Sequence, residues 1–463
     1  MSRCTARVTN LDPATTEVDI ANFFKGKGLG VSPGQSRISL ATGIEGSKIS
    51  TVTFETGETL ARALKLPPQQ RMLHDKCITL ESGFEGFTPL SDGDGIDIVA
   101  LHGLNGHAFD TWQFHSPDDC FMWLRDSLPE HFPKARVITY GYNANVISDV
   151  STGRIRTFAE TFFERLKHER DSEGHPNKPL VLMAHSLGGL VLKQALIVGS
   201  NRADQRYKDI LDSISSVMFF GTPHQGGSGV RPAEFVANLL HAVNLDARSD
   251  LIRELNPNSL FLFDLTGDFR QVIDSLRTEI YTFFEGKETK IGKWPARHKL
   301  LIVKEQSAIL GVARERKTSV NATHSDLCKF TGPGDGAYVT ARQALRELIL
   351  EVTPTITSRD ARDQPNPPPD LKYAILSEDG KIGDEREYPV LQWRSHTYWA
   401  LSHIDNRYGF AIIAYDARGK VAGRWEKTGA RYIHSIKVEK ERVEFIGQGE
   451  NTISFSLKDL RIT

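Results

Sequence analysis

Leu180-Val-Leu-Met-Ala-His-Ser-Leu-Gly-Gly-Leu190 is an apolar run interrupted by a serine set among small residues. The part ending at His185 reads as a buried strand, and the part from Leu187 onward as a helix. A chain that passes from strand to helix within a residue or two is crowded at the turn. Small neighbours two positions before and after the turning residue relieve that crowding, and here they are Ala184 and Gly188. The Ser186 hydroxyl would then stand on a sharp corner at a helix amino terminus, where the backbone favours developing negative charge. The run from Leu180 to Gly199 is also about twenty residues long, near the length that crosses a bilayer. His185, Ser186, Lys193 and Gln194 in mid-span, with the Ser-Leu-Gly-Gly break, argue for strand plus helix instead.

Outward from this stretch, residues 96–353 alternate apolar strands with longer helices, the pattern of an α/β layer fold with a doubly wound, mainly parallel sheet. Ile96-Asp-Ile-Val-Ala-Leu-His-Gly-Leu-Asn-Gly106 ends a strand in a glycine-rich turn, and Arg136–Tyr142 reads as another strand end. Val217-Met-Phe-Phe-Gly-Thr-Pro-His-Gln-Gly-Gly227 reads as the strand after the Ser186 helix. Placed between strand and helix, Ala184-His-Ser-Leu-Gly188 resembles a nucleophile elbow, with Ala where Gly is usual. His102-Gly-Leu-Asn-Gly106 resembles the oxyanion loop of lipases and esterases. Together these motifs resemble the α/β-hydrolase serine esterases, lipase-like enzymes that include the serine-active-site-containing proteins of eukaryotes and the glycosylphosphatidylinositol inositol deacylases. The resemblance is close to the hydrolase part attached to many fungal signalling proteins.

That resemblance implies a Ser186–Glu285–His324 triad in the chain order Ser, acid, His. His324, in Asn321-Ala-Thr-His-Ser-Asp-Leu-Cys-Lys-Phe330, would follow a strand Leu300–Val303, precede the last helix and act as general base. Glu285 ends the strand Ile280–Glu285, where the fold expects the residue that orients the histidine; Glu305 and Asp326 stay open as alternatives, as does His298 for the base. The backbone N–H groups of Leu104 and Leu187 would form the oxyanion hole. His102 reads as structural and His224 as packing at the rim. The implied reaction is cleavage of a carboxylic ester or thioester, of a lipid or acyl substrate, through an acyl-enzyme on Ser186, with neither metal nor cofactor. Its rate should rise with pH as His324 loses its proton. The rival reading is a signalling or scaffolding protein that keeps the fold as an interaction module.

An insertion at about 226–280 contains an amphipathic helix, Glu234–Val243, with Phe235, Val236, Leu239, Leu240 and Val243 on one face, then Leu260, Phe261, Phe263 and Leu265. A cap sheltering an acyl chain and plain core packing both account for it.

With 463 residues the chain has room for two or three domains. Residues 1–83 read as strand-helix-strand-strand-helix-strand, a ferredoxin-like module resembling RNA-recognition modules in fold order. Arg7, Ile49 and Thr51 stand where those modules stack bases on aromatic rings, so no nucleic-acid partner is expected. Residues 84–95 form a Gly/Asp-rich linker. The last helix is expected to stop at Pro354, and residues 354–370, containing Gln-Pro-Asn-Pro-Pro-Pro, form a second linker. Residues 371–463 alternate apolar and polar positions between turn signals, as a small antiparallel β module able to recruit a protein partner. A net charge of −1 gives no bulk attraction to nucleic acid or membrane. The amino terminus lacks an apolar signal segment, and Cys4, Cys77, Cys120 and Cys328 are scattered, which together predict an intracellular, cytoplasmic protein with reduced thiols. The family resemblance adds peripheral contact with endoplasmic-reticulum or mitochondrial membranes.

Overall fold

The structure is a computed structural model describing residues 4–31, 37–43, 46–103, 105–116, 120–143, 152–172, 178–202, 204–224, 261–291 and 298–360, together with strand segments between 374 and 456. It divides into two compact units, Met1–Ile349 and Leu350–Thr463.

The first unit opens with β1 (Thr5–Leu11), α1 (Glu17–Gly26), β2 (Ile38–Thr42), β3 (Lys48–Thr53), α2 (Gly57–Leu64) and β4 (Thr79–Glu81). The strands lie in the order β2-β3-β1-β4, all antiparallel, which is the split βαβ arrangement. Thr16 starts α1 with a capping box: its Oγ1 accepts from the Asp19 N–H at 3.2 Å and the Asp19 carboxylate accepts from the Thr16 N–H at 2.9 Å. Val8, Ile20, Phe24, Val52, Phe54, Leu60 and Leu80 fill the space between helices and sheet. The other sheet face carries buried Thr5, Ser39, Thr51 and Thr53. Arg7 there is paired with Glu81 at 2.5 Å and donates to Thr88 Oγ1 at 2.9 Å, while Arg125 donates to Thr53 Oγ1 at 2.8 Å. Arg7, one of the positions that stack bases in RNA-recognition modules, is thus bonded into the same compact unit.

The large sheet follows. Its strands are β5 (Gly86–Pro89), β6 (Ile96–Leu101), β7 (Ala135–Gly141), β8 (Leu180–His185), β9 (Ile214–Phe220), β10 (Glu279–Glu285) and β11 (Glu315–Val320). Their spatial order is β11-β10-β9-β8-β6-β7-β5, parallel throughout except for β5. The run Leu180–His185 is buried at every residue because helices cover both faces. Helices α3 (Thr152–Ser172), α4 (Gly188–Ser200), α5 (Gln205–Ser213) and α6 (Phe261–Leu276) contribute to one core, and α7 (Gly336–Asp360) to the other. The crossover from β6 to β7 beside β8 gathers the carboxyl ends of the strands into one rim, the place where α/β sheets bind ligands.

Three expectations change here. The last strand before His324 is Glu315–Val320, whereas Leu300–Val303 is a short piece, His298–Leu300, paired with Thr289–Ile291, followed by buried coil. Glu-Arg-Lys-Thr-Ser-Val hides as a strand because it lies on the sheet edge and buries only Val320 fully. The last helix does not stop at Pro354 but runs to Asp360, since an internal proline removes one N–H donor without dissolving the turns on either side. Within the proposed cap insertion, α6 joins the layer packed on α4 through Leu265, Phe269 and Ile273. Residues 225–260, with the amphipathic stretch Glu234–Val243, lie outside the described residues.

The second unit is antiparallel apart from one parallel pair, Ala374–Leu376 with Pro389–Trp393. One sheet continues through His396–Ile404, Arg407–Tyr415 and Val421–Thr428, and Ile433–Glu439, Arg442–Gly447 and Thr452–Ser456 make a second. Its register sets Val443 opposite Phe455 and Phe445 opposite Ile453, so apolar positions meet across the ladder.

Candidate active site

Ser186 follows β8 directly, and its φ is +52°. A left-handed backbone at a residue other than glycine costs on the order of 1 kcal/mol, and surrounding contacts must hold it. They do: the Ser186 N–H donates to Phe220 O at 2.8 Å, and its carbonyl accepts from Gly189 N at 3.0 Å and from Thr222 Oγ1 at 3.1 Å. Gly188 is required here because a Cβ would stand 2.3 Å from His102 O. The Ala184 methyl is fully buried in the core, which explains why Ala serves where Gly is usual.

The site assembles from three strand ends. Ser186 Oγ lies 2.9 Å from His324 Nε2. Glu285, the last residue of β10, has Oε1 3.7 Å from His324 Nδ1, and the same oxygen accepts from the Val303 N–H. All three side chains are buried. His324 Nδ1 and Glu285 Oε2 have no hydrogen-bond partner among the described residues, and the approach between the two side chains is the 3.7 Å from Oε1. Closing the pair into a hydrogen bond takes roughly 0.5–1 Å, an ordinary slackness for an unliganded site. The alternative carboxylates are engaged elsewhere: Glu305 pairs with Lys317 at 3.2 Å, and Asp326 accepts from Thr323 Oγ1 at 2.7 Å. His298 lies on the short hairpin strand, paired with Ile291.

For an oxyanion, the Leu187 N–H is next to the nucleophile at the start of α4 and has no acceptor among the described residues. Leu104 lies outside the described residues, but the turn carrying it passes close by, because a Cβ on Gly103 would be 2.9 Å from Ser186 Cβ. His102 is structural: its ring stacks on Tyr142 at 4.4 Å and accepts from the Tyr142 N–H at 3.2 Å. His224 is fully buried against Phe219, not at the rim, and burial followed by the charge of Lys193 holds its ring neutral.

Two neighbours of the site carried no signal of their own in the sequence. His185 Nε2 lies 3.1 Å from His324 O, a carbonyl that can only accept, so His185 donates and ties the strand before Ser186 to the loop of His324. Burial first, then the neighbouring His324, pushes its pKa down to about 3, which keeps it neutral at any physiological pH. Thr222, in Gly221-Thr-Pro-His, braces the Ser186 carbonyl.

Residues 97–273 match the model of the family described as "Putative serine esterase (DUF676)". Over that segment the chain is similar to serine esterases, on the mainly parallel α/β sheet described above. Human protein SERAC1 is 25% identical to the chain over 274 residues, covering 55% of this chain and 39% of the human protein. The Bos taurus SERAC1 is 26% identical over 295 residues, covering 60% and 42%. The chain therefore spans about two fifths of the length of the curated relatives it matches. Among solved structures, the Bacillus licheniformis lipase BlEst2 is 16% identical with a TM-score of 0.37, over 57% of this chain and 97% of the lipase. YbtT, a type II thioesterase, is 13% identical with a TM-score of 0.31, over 57% and 96%.

No helix among the described residues of this chain is long and apolar enough to cross a membrane. None of its described residues form a His/Cys/Asp/Glu group of three or more able to hold a metal ion.

Proposed function

We propose that the chain hydrolyses a carboxylic ester or thioester through an acyl-enzyme on Ser186, with His324 as general base and Glu285 orienting it. The observation that carries this reading is the 2.9 Å contact between Ser186 Oγ and His324 Nε2 on a strained, fully braced turn. His324 takes the hydroxyl proton as Oγ attacks the carbonyl carbon, and the Leu187 N–H with the turn after β6 receives the oxyanion. Collapse expels the alcohol or thiol, protonated by His324; water then repeats the sequence and frees the acid. Glu285, buried beside His324, holds the imidazole with its Nε2 toward Ser186 and offsets the charge it gains. The match to the family described as a putative serine esterase supports ester chemistry of this kind, and a lipid or acyl substrate is the class we favour.

Labelling by a fluorophosphonate probe tests the proposal. Wild-type protein should carry the adduct on Ser186, Ser186→Ala should carry none, and His324→Ala should react at least about a hundredfold more slowly. A folded wild type that stays unlabelled would instead favour the interaction-module reading.

A further inference from the structure

We propose that His107 is a positioning residue that fastens the turn beside Ser186 to the end of the N-terminal module, making hydrolysis depend on that module. The inference rests on the serine-hydrolase reading above.

The turn after β6 passes the nucleophile at contact distance, as the Gly103 position shows. It closes with Gly106 N–H donating to Gly103 O at 3.1 Å, and His107 follows immediately. His107 is then bonded on every side. Its N–H donates to Thr111 Oγ1 at 3.0 Å and its carbonyl accepts from Thr111 N at 3.2 Å. Its Nδ1 accepts from the N–H groups of Phe109 and Asp110, both at 3.2 Å, with the Asp110 carboxylate 3.4 Å away. Facing two N–H donors, Nδ1 carries no proton, so the ring hydrogen is on Nε2, which donates to Ser82 O at 2.9 Å.

Ser82 is the first residue after β4, the last strand of the N-terminal sheet. The chain beyond it is wedged in place. Phe84 adopts a φ of +54°, is fully buried, and sets its ring edge-on to His107 at 5.1 Å. Its carbonyl packs so closely on Gly141 at the end of β7 that a Cβ there would lie 1.8 Å from it. One neutral imidazole therefore joins the N-terminal module, the wedge and the turn that passes Ser186. A loop that must present an N–H to an oxyanion gains from such bracing, because a displacement of about 1 Å forfeits much of the stabilisation.

The experiment compares three variants of the full chain by fluorophosphonate labelling rate, p-nitrophenyl ester turnover and thermal midpoint. Gln reaches about as far as Nε2 and keeps the bond to Ser82 O; Asn matches only the Nδ1 position. Expected are a loss of about tenfold or more in labelling rate and kcat for His107→Ala with KM within about threefold, substantial recovery in His107→Gln, and little in His107→Asn. Wild-type labelling on Ser186 with His107→Ala reacting at the same rate would overturn the inference and leave the hydrolase reading standing. Recovery by Asn equal to that by Gln would overturn it too, as would losses that follow the thermal midpoint across all three variants. No adduct in the wild type would overturn both.

Discussion

Glu285 shows how much one residue owes to its surroundings. By sequence it was the carboxylate that ends the strand Ile280–Glu285 and so the one preferred, with Glu305 and Asp326 left open as alternatives. In the fold it alone is buried beside His324 Nδ1, with one oxygen held by the Val303 N–H. Glu285→Gln keeps the shape but can present an N–H to the ring and so favour the wrong tautomer. Steady-state ester hydrolysis should fall by about 10³–10⁴-fold, whereas Glu305→Gln, exposed and paired with Lys317, should change it less than about twofold. Equal losses in the two variants would refute the assignment. His185 carried no such signal: its position beside the serine is readable, but its bond to the His324 carbonyl spans residues 139 apart in sequence.

At the scale of elements, the site is a junction between the end of β6 and the start of α4. Gly188 permits the approach, since any side chain there would meet His102 O. Backbone cannot yield as a flexible side chain can, so Gly188→Ala should force α4 and β6 apart. We expect a loss of about 1–3 kcal/mol in chemical denaturation, together with slower fluorophosphonate labelling. An unchanged denaturation midpoint would mean the two elements can separate freely. The same scale explains where sequence periodicity misled. Leu300–Val303 is apolar yet joins a strand pair only at Leu300, and the Val303 N–H is committed to Glu285, while the polar Glu315–Val320 pairs with β10 along its whole length.

At the scale of the whole molecule, Lys193 is an electrostatic burden on folding. It is fully buried on α4, donates to Thr266 Oγ1 at 2.8 Å, and has no ion-pair partner among the described residues. Burial first, then the nearby Arg270, lowers its pKa from 10.5 to about 7. Between those values the unfolded chain binds a proton that the folded chain does not, so stability rises with pH across that window and the full penalty applies below it. Lys193→Met, similar in length and uncharged, should therefore raise the thermal midpoint, and by more at about pH 6 than at about pH 9. A gain independent of pH would show that the ammonium is not the source of the cost.

Short-range order was written in the chain: a buried strand, a serine between small residues and a helix specify the corner at Ser186, and alternating strands and helices specify the parallel layer fold, because both depend on neighbours a few residues apart. Ser186 and His324 were read from the motifs Ala184–Gly188 and Asn321–Phe330 that carry the family resemblance. The edge strand Glu315–Val320, the burial of Glu285 beside His324, the bond from His185 to His324 O and the bond from His107 to Ser82 were decided only by tertiary structure. Each depends on groups far apart in sequence, brought within bonding distance when the strand ends meet and buried where water cannot replace the missing partner.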